Sequence, residues 1–134
     1  MIDLTTFEMT WINAGHVPPL LRRLSGELIA IGEATAGIPL GVFDRQYEAT
    51  TLPFQPGDTV LLCTDGIIEA KNAAKDMYGL ERLKILFAKS GGDVESTGAA
   101  ILADIARFAA GHPAHDDVTV VCFGRASLSA HPQV

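Results

Sequence analysis

Residues 59–66 read TVLLCTDG, an almost unbroken apolar run from Thr59 to Cys63 that ends in Thr64-Asp65-Gly66. β-Branched and aliphatic side chains without polar alternation predict a strand buried on both faces, as in the centre of a sandwich. Asp65 stands where that strand leaves the core, and Gly66 removes side-chain bulk beside it. A second stretch, HPAHDDVTVVCF over residues 112–123, mirrors the first: Asp116-Asp117 stands immediately before an apolar run over 118–123, also read as a buried strand. If the two strands lie side by side and antiparallel, the exit of one adjoins the entrance of the other and the Asp groups converge at one edge. Convergent oxygen ligands are what hard cations such as magnesium or manganese take. The residues alone leave a plainer alternative open, in which Asp-Gly is a turn and Asp-Asp a solvated cap.

Outward from these two strands, the first half of the chain reads as strand and turn. Residues 4–13 (LTTFEMTWIN) suit a pleated surface and stop at Asn13-Ala14-Gly15. LLRRL (20–24) and ELIAI (27–31) predict a hairpin with Ser25-Gly26 as its turn. Residues 32–46 hold too many glycines and prolines for a regular element and predict a loop. YEATTLPF (47–54) alternates as a strand does, and Gln55-Pro56-Gly57-Asp58 predicts a tight turn. Between the two decisive strands the period changes. Leu80, Leu83, Leu86 and Phe87 recur at helical steps up to Gly91-Gly92, and Ile101, Leu102, Ile105 and Phe108 do so within a second helix over 94–110, closed by Gly111 and Pro113. Strands grouped apart from helices favour an α+β layered fold over alternating βαβ units.

Composition narrows the function classes. The chain has 134 residues, 48% hydrophobic and 19% charged, enough for one domain with a real core and too apolar for disorder. Ten basic against sixteen acidic residues give a net charge of -6, and no basic run exceeds Arg22-Arg23, which argues against nucleic acid as a partner. Cys63 and Cys122 lie inside apolar runs with no zinc-finger spacing and read as buried core thiols. No apolar stretch approaches the roughly 18 residues of a membrane span, and the start MIDLTTFEMT lacks the basic and apolar regions of a signal peptide. A cytoplasmic protein without membrane insertion is expected.

A further set of motifs stands in fixed order: Asn13-Ala14-Gly15-His16 followed by Pro18-Pro19; Pro39-Leu40-Gly41; Pro56-Gly57-Asp58; Thr64-Asp65-Gly66 with Glu69-Ala70 and Asn72; Tyr78-Gly79 with Arg82-Leu83; and Asp116-Asp117-Val118-Thr119. In this order and spacing the chain resembles the metal-dependent PPM (protein phosphatase 2C-like) serine/threonine phosphatases, and more narrowly their bacterial SpoIIE-like, sigma-factor-regulating branch. The resemblance covers about residues 1–125, leaving 126–134 as a small-residue tail expected to be disordered.

The resemblance implies an antiparallel β-sandwich with helices packed outside, four layers (αββα) in the complete domain. It also implies a two-metal centre of manganese or magnesium that activates a water for direct attack on phosphoserine or phosphothreonine. Carried over by position, Asp65 and Asp116 match metal ligands, and Gly66 and Asp117 match their supporting neighbours. Asn13, Gly15 and His16 match a motif read as architectural. The implied partner is a phosphorylated anti-sigma factor antagonist. One departure stands out. Nothing before Asn13 resembles the family's Gly-Asp motif, whose Asp bridges both metals, as though the N-terminal strands and helices were absent. Two alternatives follow: a noncatalytic PPM-like regulatory or interaction module that lacks the bridging ligand, and a homodimer formed through exposed strand edges.

Overall fold

The computed structural model describes residues 1–91, 93–113 and 116–127. Six strands and three helices run in the order β1 (Glu8–Ile12), β2 (Leu20–Arg22), β3 (Leu28–Ala30), β4 (Ala49–Pro53), β5 (Thr59–Cys63), α1 (Asp65–Ile68), α2 (Leu80–Lys89), α3 (Val94–Ala109) and β6 (Val120–Gly124). All strand pairings within the two sheets are antiparallel. β1 pairs with β4, and a four-stranded sheet has the order β3-β2-β5-β6. The α+β sandwich with helices outside is therefore the observed fold.

Alternation along β5 divides the core in two. Leu61 and Cys63 face the helices, in a cluster with Leu20, Ile67, Tyr78, Leu83, Phe87, Ile101 and Ile105. Val60 faces the other way and packs with Met9, Leu21, Ile31 and Phe54, beneath Trp11 and Leu52 of the small sheet. Three layers result: helices, four-stranded sheet, two-stranded sheet. A strand covered on both faces needs apolar residues at consecutive positions, which is why TVLLC reads as a continuous run. Each fully buried Leu, Ile or Phe in these layers contributes about 1.5–3 kcal/mol by leaving water.

Several expectations change in the structure. The first strand is shorter than residues 4–13. Asp3 accepts the amides of Thr5 and Thr6 at 2.7 and 3.2 Å and its carbonyl accepts from Phe7, so residues 3–7 form a turn that folds Ile2 back onto Met9. The hairpin loop has three residues, Leu24-Ser25-Gly26, rather than the Ser-Gly pair. The amide of Gly26 donates to Arg23 O at 2.9 Å, and Gly26 takes φ +90°, which restores the register after a type I-like turn. Strand β6 is not doubly buried. It is an edge of its sheet: Val118 and Val121 are exposed, Val121 on the face that the small sheet covers only in part, and Cys122, on the helix face, is only half-buried. Leu102 likewise lies outside the apolar face of α3. The tail expected over 126–134 lies, from residue 128 on, outside the described residues.

Candidate functional site

Strands β5 and β6 are neighbours with Cys63 opposite Val120, so the chain leaves β5 at the place where it enters β6. The side-by-side antiparallel arrangement on which the convergence of acids depended is thus present. Asp65 begins the single turn of α1, with Thr64 as its N-cap residue. Thr64 ties the two segments together: its amide donates to Thr119 O at 3.2 Å, its hydroxyl accepts from the Thr119 amide at 3.0 Å, and the same hydroxyl donates to Asp117 O at 2.6 Å.

Gly66 completes the contact. A Cβ at this position would stand 2.5 Å from Asp117 O and 3.2 Å from the carbonyl carbon of Asp116, so only glycine lets the two backbones meet. Asp65 and Asp116 use one oxygen each locally. Asp65 Oδ1 accepts the Gly66 amide at 3.0 Å and Asp116 Oδ1 accepts the Asp117 amide at 2.7 Å, which leaves the second oxygen of each without a hydrogen bond among the described residues. Asp65, Asp116 and Asp117 are all exposed, and among the described residues none of them enters an ion pair. These acids make the sheet end locally negative, and among the described residues no three His, Cys, Asp or Glu side chains group closely enough to hold an ion. The Cys63 thiol beneath them is pushed up to about 11, first by burial and further by the charge of Asp65, so it stays protonated.

The turn carrying Asn13, Gly15 and His16 lies near the same strand ends. Buried Asn13 bonds its Nδ2 to His16 O at 2.9 Å and accepts the His16 amide at 2.8 Å. Gly15 takes φ +86° against Pro39, where a Cβ would meet the ring at 2.8 Å. His16 lines a hollow of about 140 Å³ with Cys63, Thr64 and Thr119. A larger hollow of about 500 Å³ lies at the opposite end of the sheet, between Arg22, Asp58 and Gly124, away from the acids. Depth therefore does not mark the site; the strand pairing does. Thr64 and Thr119 escaped singling out in the sequence as bonding residues. The available signal was the Thr64 hydroxyl beside Asp65; Thr119 bonds through its main chain alone, which no side chain announces.

The sequence model of the family "Stage II sporulation protein E (SpoIIE)" matches residues 1–126. The chain belongs to the SpoIIE family. Among curated relatives of this SpoIIE-family chain, Protein IcfG of Synechocystis is 28% identical over 86 residues, which are 62% of the chain and 13% of IcfG. Among solved structures, the SiaA-PP2C domain of Pseudomonas aeruginosa superposes with a TM-score of 0.77 at 20% identity, covering 91% of this chain and 48% of that one. The manganese-presoaked phosphatase domain of SpoIIE from Bacillus subtilis gives 0.70 at 20% identity, covering all of this chain and 57% of that one. The RsbU and RsbW domains of a Mycobacterium tuberculosis protein give 0.72 at 24% identity over 94% of this chain and 34% of that one. The fold is thus that of PP2C-type phosphatase domains, and the chain spans about half the length, or less, of the relatives it matches.

Proposed function

We propose that the chain supplies the Asp65 and Asp116 side of a two-cation centre that hydrolyses phosphoserine or phosphothreonine on a protein. The observation that supports this reading best is the β5–β6 pairing, which brings two exposed acids with spare oxygens to one sheet end over a glycine contact. The donor set fits a hard cation, since both groups are carboxylates and neither has a basic partner among the described residues. Manganese or magnesium, when bound, activates a water and neutralises charge on the phosphoryl oxygens. The chain's own residues do the holding: Asp65 and Asp116 present oxygen, Gly66 and Asp117 shape the backbone beneath them, and Thr64 fixes one segment on the other. Water and further oxygen groups would complete an octahedral shell. By its resemblance to the sigma-regulating branch, the substrate is a phosphorylated anti-sigma factor antagonist in the cytoplasm. Among the described residues no helix is long and apolar enough to cross a membrane.

Manganese-dependent hydrolysis of an aryl phosphate, assayed on this chain and on a form extended upstream, tests the reading. Asp65→Asn is expected to abolish the activity of the extended form, and an unchanged rate would sink the assignment. A noncatalytic PPM-like regulatory or interaction module is the second reading, since nothing before Asn13 resembles the family's Gly-Asp motif whose Asp bridges both metals. Calorimetric titration separates the two, because micromolar manganese binding counts against the noncatalytic reading and no binding up to millimolar supports it. The open β6 edge also leaves room for pairing between copies, which concentration-dependent light scattering would reveal.

A further inference from the structure

The segment that follows Asp65 is fastened to helix α3 by one carboxylate. From α1 the chain makes an excursion through residues 69–79 before α2 begins. The far end of that excursion is stitched back onto the turn that carries Asp65: the amides of Tyr78 and Gly79 donate to Ala70 O and Ile68 O at 2.8 and 2.9 Å. Tyr78 is buried, and its hydroxyl donates to Asp104 Oδ2 of α3 at 2.9 Å. Arg82 donates to both oxygens of Asp104 at 2.9 and 3.2 Å, and Arg107 to Oδ1 at 3.1 Å. The Arg82 guanidinium lies over the rings of Tyr78 and Phe108, which meet edge to face at 5.4 Å. Helix α3 also packs against β6, the strand that Asp116 precedes.

We propose that Tyr78 and Asp104 form a positioning clamp through which α3 fixes the Asp65 turn relative to Asp116. Its functional meaning rests on the metal-site reading above; its geometry does not. Two guanidinium groups already neutralise Asp104, and a Phe ring would fill the space of Tyr78, so neither charge balance nor packing calls for the hydroxyl. What the hydroxyl adds is direction. It fixes the ring, and with it the backbone of residue 78, to a helix that also carries the approach to the second acid. Burial first, and then the hydrogen bond to Asp104, push the Tyr78 hydroxyl up to about 12, so it is present as a donor at neutral pH.

Native-state hydrogen exchange by NMR on the full chain tests the clamp with Tyr78→Phe and Asp104→Asn. The Glu69, Tyr78 and Gly79 amides are expected to lose protection about tenfold, the effect of one hydrogen bond to a charged group. The Leu61 and Cys63 amides of β5 are expected to keep theirs. Unchanged exchange at Glu69 and Gly79 would overturn the clamp, as would equal acceleration at every amide, which signals only lost global stability. If Asp104→Asn does not fold, Tyr78→Phe, which removes a single oxygen, carries the comparison. Manganese titration of the same chain supplies the functional readout: Tyr78→Phe is expected to weaken binding about tenfold while the β5 amides stay protected. Wild-type affinity in that variant would overturn the positioning role. No binding by the wild-type chain would instead remove the metal reading, with the exchange result still deciding the clamp.

Discussion

Replacing Gly66 by Ala adds one methyl group at the point where the two acid-bearing segments touch. Its Cβ would sit 2.5 Å from Asp117 O, against an ordinary contact of at least 3.4 Å, so one segment must retreat by about 0.9 Å. Both sides are backbone, and the far side is held by the 2.6 Å bond from Thr64 Oγ1, so no flexible side-chain end can yield instead. Overpacking of this kind costs about 1–3 kcal/mol, and loss of the Thr64–Asp117 bond adds about 1 kcal/mol. Ala at a helical position returns at most about 1 kcal/mol. The expected net loss is about 2 kcal/mol, a fall in Tm of roughly 8 °C for a chain of this size. Gly98, inside α3, supplies the matched control, because nothing lies within 4 Å of a Cβ there. Gly98→Ala should gain up to about 1 kcal/mol from helix propensity alone. Thermal denaturation followed by circular dichroism reads both variants. If Gly66→Ala is as stable as the wild type, or follows Gly98→Ala upward, the close approach of the two segments is refuted.

Two further expectations follow from buried and paired acids. Asp58 is almost wholly buried, accepts the Gln55 amide at 2.7 Å and pairs with Arg23 at 2.5 Å, so Asp58→Ala strands a largely buried guanidinium; a loss of about 3–5 kcal/mol in urea unfolding is expected. A loss below about 1 kcal/mol would show that the pair is not the anchor of the β4–β5 turn. Asp104 is held down to about 2 from an ordinary 3.8, chiefly by the Arg82 hydrogen bonds, so its contribution is complete above about pH 4 and is lost as pH falls towards 2. Asp104→Asn should flatten the acid limb of the stability curve within that window, and an identical limb in both proteins would contradict the assignment.

Much of this architecture was legible because its causes are local. The apolar run of β5 shows its double burial directly, and the three- and four-residue steps of Leu83, Phe87, Ile101 and Ile105 show the helical faces that meet it. The acids were legible as well, since each adjoins a decisive strand. What escaped were features decided at a distance. Nothing in VTVVCF distinguishes an edge strand from a central one, because exposure of Val121 depends on how far another sheet extends. The three-residue hairpin loop depends on Gly26 adopting a positive φ, which a Ser-Gly pair permits without requiring. Asp104 looks like any solvated helix acid until Tyr78, 26 positions earlier in the chain, is seen to reach it.

The bond from the Thr119 amide to the Thr64 hydroxyl spans 55 positions of sequence. Closing a loop of that length costs about 3–4 kcal/mol in chain entropy before any contact compensates it. All three helices lie inside the loop, so the entropy is recovered only as they pack against the sheet. The acids therefore become neighbours late, after the intervening chain has condensed, and an unfolded or half-folded molecule has two separate carboxylates with no shared affinity for a cation. On the reading proposed above, the ion site would be completed together with the fold, so metal binding would report on folding as directly as on chemistry.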